Sequence, residues 1–259
     1  MSDKRSFNTS DNFQFAAALG LFTDVQVVEG FAEQANLIVD TRTVIGHGGE
    51  YPTLPSNDGE VIEIVNTDAG NAGAVIVVDA LDADFKPIVC TVNVTADLVA
   101  FPLKDPLTGE NAILTRINSA KNYGERGDGA LVADMVIRSQ VTPANIFGTV
   151  RAEAVQEMQQ AVFTVPAGVK ATVTSILLSL AKASGTETSV DFRLFGAGVN
   201  RVFRRVFKFG LQRSGTSTAP LVNNIQNTFD GPVDLFLSAE STSTGASVAG
   251  RITLMYAQV

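Results

Sequence analysis

The stretch KPIVCTVNVTAD, Lys86–Asp97, decides the fold class. Val89, Thr91, Asn93 and Thr95 fall on one parity, and Ile88, Cys90, Val92 and Val94 on the other. Successive side chains of an extended chain point to opposite faces. One face here is apolar and the other polar, the pattern of an antiparallel strand packed on a core from one side. It places Cys90 inside, as a small buried hydrophobe.

The same signals extend in both directions. EVIEIVNT, Glu60–Thr67, sets Ile62 and Ile64 against Val61, Glu63 and Val65. AGAVIVVDAL, Ala72–Leu81, is rich in Val and Ile, and NLIVDTRTVI, Asn36–Ile45, alternates weakly. NTDAGNAG and DALDADFKP, dense in turn residues, separate these runs. Residues 111–139 read as two strands around a Gly-rich loop. QQAVFTV, the turn Pro166–Gly168, and KATVTSILLSLAKA read as a hairpin. TSVDFRLFG, VNRVFRRVFKFG, STAPLVNNIQ, GPVDLFLSAES and GASVAGRITLMYAQV complete the series. Many short strands without long helices point to sandwiches or barrels, not to a parallel α/β fold.

The expectation is an all-β chain of two antiparallel β-sandwich, jelly-roll-like domains. Residues 1–35 form an N-terminal arm or short helix, because FQFAAALGLF has helical composition interrupted by Gly20. Residues 36–145 form an acidic sandwich and 146–259 a slightly basic one. The charge supports this division. Residues 1–150 carry 20 acids and 9 bases, and residues 151–259 carry 7 acids and 10 bases. The 259 residues, 45% of them hydrophobic, suffice for a buried core and exclude a disordered chain.

Composition also excludes functions. The apolar runs are too short to cross a bilayer, so no membrane partner is expected. The polar start MSDKRSFNTSDN lacks the apolar stretch of a signal peptide, which implies synthesis in a cytoplasm. An overall charge of −8 does not suit a general nucleic-acid binder. With one cysteine, no internal disulfide forms.

The single histidine, His47, lies in VIGHGGEYPTLP. A zinc site needs three or four ligands and a Ser-His-Asp triad needs its partners, and this chain offers neither pattern. His47 therefore reads as a turn residue among glycines. Asp79, Asp82 and Asp84 in DALDADF lack the frame of an EF-hand and read as turn formers; a weak oxygen-ligated cation there or in NTDAGNAG stays open. Arg126-Gly127-Asp128 matches an adhesive tripeptide, a match that chance supplies often. No cofactor is expected.

RVFRRVFKFGLQR is the most informative segment. It interleaves Arg201, Arg204, Arg205, Lys208 and Arg213 with Phe203, Phe207 and Phe209. Such a pattern could stack on bases and pair with phosphates. The preferred reading is a strand with its phenylalanines in the core and its arginines facing a neighbour's acids.

Four segments resemble structural proteins of tailed bacteriophage particles: GHGGEYP, VIVVDALDADFKPIVCTVNVT, AVFTVPAGVKATVTSILLS and DFRLF with VFRRVFKFGLQRSG. The likeness covers most of residues 40–259. It departs at His47–Glu50, where a nearby Trp is expected, and the first 35 residues match nothing in the family. The resemblance implies a non-enzymatic virion protein, assembled in the host cytoplasm, that decorates a head or adapts a neck or tail. Its partners would be other virion subunits and further copies of itself. Arg201, Phe203, Arg204, Arg205, Phe207, Lys208, Arg213, His47 and Tyr51 are its candidate interface residues. The alternative is a host-receptor or glycan-binding tail module, against which stand the absence of Trp and only 3 Tyr. A hydrolase using paired carboxylates is a third reading.

Overall fold

A computed structural model of the chain describes residues 25–46, 49–124, 129–152, 156–182, 188–198, 202–213, 221–223 and 227–258. The chain enters through β1 (Val25–Leu37) and β2 (Arg42–Val44). Seven strands follow: β3 (Glu60–Val65), β4 (Val75–Asp82), β5 (Pro87–Asn93), β6 (Ala100–Pro102), β7 (Ile113–Asn122), β8 (Met135–Ser139) and β9 (Ile146–Val150). Then come β10 (Val162–Val165), β11 (Val169–Lys182), β12 (Thr188–Gly198) and β13 (Arg204–Arg213). The chain finishes with β14 (Leu221–Asn223), β15 (Asn227–Asp230), β16 (Val233–Ser241) and β17 (Ala246–Gln258). All pairings between these strands are antiparallel. The protein is all-β, as the alternation predicts.

One unit is a jelly roll. Its first sheet runs β1-β17-β11, with β14 and β15 both on the far edge of β11. Its second runs β10-β16-β12-β13, with β2 also on β16. Counting β2 with β10 and β14 with β15 leaves eight strand positions in the order of a double-sheet jelly roll. The inner faces meet in a core that includes Val173, Ile176, Leu178, Phe192, Leu194, Leu235, Leu237, Ile252 and Leu254. Complete burial of such a side chain contributes about 1.5–3 kcal/mol, so this core carries the unit's stability.

β2 and β10 lie end to end along β16, pairing with Ser238–Glu240 and with Val233–Phe236. Three backbone bonds stitch the junction. Ile45 N–H donates to the Leu237 carbonyl (3.0 Å), Leu237 N–H to Ala161 (2.9 Å), and Ala161 N–H to Ile45 (3.2 Å). A single strand position of the jelly roll is thus interrupted, and residues 46–160 are inserted at the break.

The inserted segment has its own seven-stranded sheet, ordered β5-β4-β7-β3-β8-β9 with β6 on β3. It has its own core, including Ile62, Ile64, Ile76, Val78, Cys90, Val92, Leu114, Met135, Ile137 and Phe147. Cys90 and its parity partners Val92 and Val94 are buried while Val89, Thr91, Asn93 and Thr95 are not, as the alternation requires. The acidic excess follows the insertion. Residues 46–160 hold 16 acids and 7 bases, and the rest of the chain 11 acids and 12 bases.

Three expectations need correction. The part of the N-terminal arm that is described, from Val25 on, is a strand and not an arm or helix. FAEQANL carries helix-forming Ala, Glu and Gln, but pairing along β17 overrides that weak preference. FQFAAALGLF lies outside the described residues. The strands flanking Pro166–Gly168 also do not form a hairpin. β10 joins the sheet of β16 and β11 the sheet of β17, so the turn arches between sheets. Because β1 and β2 pair with β17 and β16, residues 25–45 belong with the C-terminal strands.

Candidate assembly surface

Strand β13 pairs only with β12 among the described residues, so its other edge is open. Alternation sorts its side chains. Phe207, Phe209 and Leu211 pack against the jelly-roll core, and the two phenyl rings stack at 6.3 Å. Arg204, Arg205 and Lys208 are exposed. Lys208 binds Asp191 of β12 at 2.6 Å. Arg204 and Arg205 make no ion pair among the described residues. A register shift between Leu194 and Phe195 lets Arg205 sit opposite Phe195 and bends this end of the edge.

The chain just before β13 joins an aromatic cluster. Phe203 packs edge-on against Phe236 at 4.8 Å, and Phe236 stacks on Phe195 at 5.1 Å. Tyr51, from the start of the insertion, stacks on Phe203 at 6.1 Å and is half exposed. Two candidate residues 152 positions apart in sequence thus meet on one surface. The Arg42 guanidinium lies over the rings of Phe195 (5.2 Å) and Tyr51 (5.9 Å) and pairs with Glu50. His47, Arg201, the Arg126-Gly127-Asp128 tripeptide and the Arg213 side chain lie outside the described residues.

Alternating charges cross the outer face of the same sheet. Arg42 on β2 is in register with Glu240 on β16. Arg193 on β12 binds Glu240 at 2.8 Å and lies 3.8 Å from Asp191. Beside this ladder is a cavity of about 720 Å³, bounded by the end of β1, the turn into β2, Glu50, Arg193 and Glu240.

The acidic turns are occupied by their own backbone. Asp82 Oδ1 accepts from the N–H groups of Asp84 and Lys86, both at 2.9 Å, and Asp68 Oδ1 accepts from Gly70 N–H at 2.8 Å. These are the local bonds for which Asp is favoured in turns. Among the described residues no three His, Cys, Asp or Glu side chains gather where they could hold a metal ion. Burial pushes the Cys90 thiol up to about 11, with Asp105 adding to the effect. Burial likewise raises the Tyr256 phenol well above its ordinary range, helped by Asp79. Both groups are held in the neutral form.

Sequence reading did not find the residues that join the two units. Arg116 on β7 binds Asp234 on β16 through Nε–Oδ1 (2.7 Å) and Nη2–Oδ2 (2.8 Å). Thr164 Oγ1 donates to the same carboxylate (2.7 Å), and Asn118 exchanges two bonds with the Thr164 backbone, at 2.8 and 2.9 Å. One signal was available: each member is a charge flanked on both sides by uncharged residues, in AILTRIN and in PVDLFLS.

No family model matches the chain, and no curated protein matches it. Among solved structures, the infectious bursal disease virus Gt strain is similar over 91% of this chain and 77% of that one, with 8% identity and a TM-score of 0.23. The VP2 subviral particle of the same virus gives the same coverage and identity with a TM-score of 0.22. TM-scores this low do not identify a shared fold.

Proposed function

We propose that this protein is a non-enzymatic structural component of a virion, an oligomer that binds neighbouring subunits through the surfaces of its jelly roll. The finer proposal is a head-decoration or neck and tail-adaptor protein of a tailed bacteriophage, which rests on the four segments that resemble that family. The observation that carries the assembly reading is the edge of β13 away from β12, which pairs with no strand among the described residues and where Arg204 and Arg205 are exposed without an ion pair among those residues. An uncovered strand edge is a template for pairing with another chain. Two basic side chains at that edge favour an acidic neighbour, and the inserted unit of another copy supplies an acidic surface.

Light scattering on the purified chain tests this reading. The chain is expected to elute as a defined oligomer, and Arg204→Glu with Arg205→Glu is expected to dissociate it while leaving its thermal transition in place. A monomeric wild-type chain over the micromolar range would contradict the proposal.

A further inference from the structure

We infer that the free edge of β5 in the inserted unit is a self-association surface, on which β5 of a second copy pairs antiparallel across a two-fold axis. Among the described residues β5 pairs with β4 and with no other strand. An unpaired strand edge invites another chain, and the usual protections are short length, charge, proline and bulges. The other edges carry such protections. β1 presents exposed Glu29 and Glu33 and has a register shift between Gln34 and Leu37. β13 presents Arg204, Arg205 and Lys208. β9 has a register shift against β8, and Met158 bridges its end. β2, β6, β10, β14 and β15 run only 3 or 4 residues. β5 runs 7 residues and keeps an unbroken register with β4. Ile88–Val94 carries no charge, and Pro87 stands before that run, at the first residue of the strand. Val89 is 50% exposed on the outer face, with Thr91 and Asn93 exposed beside it.

Charge selects a second copy as the occupant. An uncharged strand paired with itself sets no like charges face to face. The first charges beyond the run are of opposite sign, Lys86 before it and Asp97 after it. An antiparallel two-fold carries Lys86 of each copy toward Asp97 of the other, although Lys86 also lies 3.4 Å from Asp84 of its own chain. Self-pairing of β13 would instead set basic side chains against basic ones. A two-fold contact uses the same patch on both subunits. Full overlap of the strand centres the axis on Cys90, so Val89 of each copy faces Thr91 of the other and Ile88 faces Val92. Facing residues then lie on the same side of the joined sheet, which continues its apolar inner and polar outer faces across the axis.

The inference does not rest on the β13 contact, and its test removes that contact. Sedimentation equilibrium of the full chain carrying Arg204→Glu and Arg205→Glu is expected to show a dimer at micromolar concentration. Adding Val89→Lys with Thr91→Lys sets lysine opposite lysine, and is expected to weaken the dimer by about tenfold or more. Adding Val89→Lys with Thr91→Glu sets lysine opposite glutamate, and is expected to keep it. The substituted side chains are exposed, and an unchanged thermal transition confirms that the fold is retained. Should the lysine variants not fold, hydrogen exchange on the chain without them gives the same reading: amides of Ile88–Asn93 are expected to gain protection as concentration rises through the dimerisation range. The inference is overturned by a monomer in the Arg204→Glu, Arg205→Glu background, by a dimer that the two added pairs of substitutions affect equally, or by exchange in β5 that does not depend on concentration.

Discussion

Arg116 and Asp234, 118 residues apart in sequence, form a buried two-pronged ion pair that fastens the inserted unit to the jelly roll. Their side chains are 3% and 7% exposed. The remaining guanidinium donors are satisfied by the Pro55 and Thr115 carbonyls and by Asn57 Oδ1, at 3.1, 2.6 and 2.6 Å. The Phe85 ring covers the guanidinium at 5.3 Å. Removing one member of such a pair leaves an uncompensated buried charge, which costs about 3–5 kcal/mol. Arg116→Ala is expected to lose that much in guanidinium-chloride unfolding. Arg116→Met combined with Asp234→Leu should recover most of the loss, since a buried pair contributes little beyond an apolar replacement of similar size.

Gly46 marks the point where the chain leaves the jelly roll. It has φ +76°, and a Cβ there would lie 2.3 Å from the Gln159 carbonyl oxygen and 2.7 Å from Ala32 Cβ. Gly109, on an exposed turn, has φ +73° with open space around it. Gly109→Ala is expected to cost about 1–2 kcal/mol, the left-handed penalty alone. Gly46→Ala should cost clearly more in the same denaturant titration, because backbone must also move. Equal losses would remove the steric account of the exit point.

The Cys90 thiol titrates at about 11 in the folded chain instead of its ordinary 9.0. The folded state therefore holds this proton where the unfolded state has released it. Its contribution to stability is complete below pH 9.0 and is lost as the pH rises from there through about 11. At neutral pH the native protein should resist iodoacetamide, with labelling only at the rate of unfolding. Stability curves of wild type and Cys90→Ala should diverge in slope over that alkaline window.

The inserted unit should be separable. A chain in which residues 46–160 are replaced by a short Gly-Ser linker, with Asp234→Asn to remove the orphaned charge, is expected to keep a cooperative thermal transition and a β-sheet circular dichroism spectrum. Ile45 and Ala161 are already bonded to each other, so a short linker spans the gap. A chain without a transition would mean that the jelly roll depends on the insertion.

Local chemistry was legible in the sequence and long-range pairing was not. The parity of Ile88–Thr95 fixed a strand and its inner face, and Ile62 and Ile64 turned inward as their alternation predicts. Glu63, on the opposite parity, is nevertheless buried, because Arg138 on the neighbouring strand binds it at 2.8 Å. That partner lies 75 residues away, and no local pattern announces it. The strand identity of Val25–Leu37 was hidden for the same reason, since among the described residues the strand it pairs with is β17, at the far end of the chain. At the candidate surface, the alternation in RVFRRVFKFGLQR foretold Phe207 and Phe209 packed against the core, where they are partly buried, beside exposed Arg204, Arg205 and Lys208. It could not show that Phe203 meets Tyr51, nor that Arg42, Glu240 and Arg193 share one face.

The most direct test of the virion role is cryo-electron microscopy, with mass spectrometry, of particles purified from the source of this sequence. The account predicts repeated density for a jelly roll carrying an inserted acidic unit, in symmetric copies, with the β13 edge against a neighbouring subunit. Particles that lack the chain altogether would contradict it.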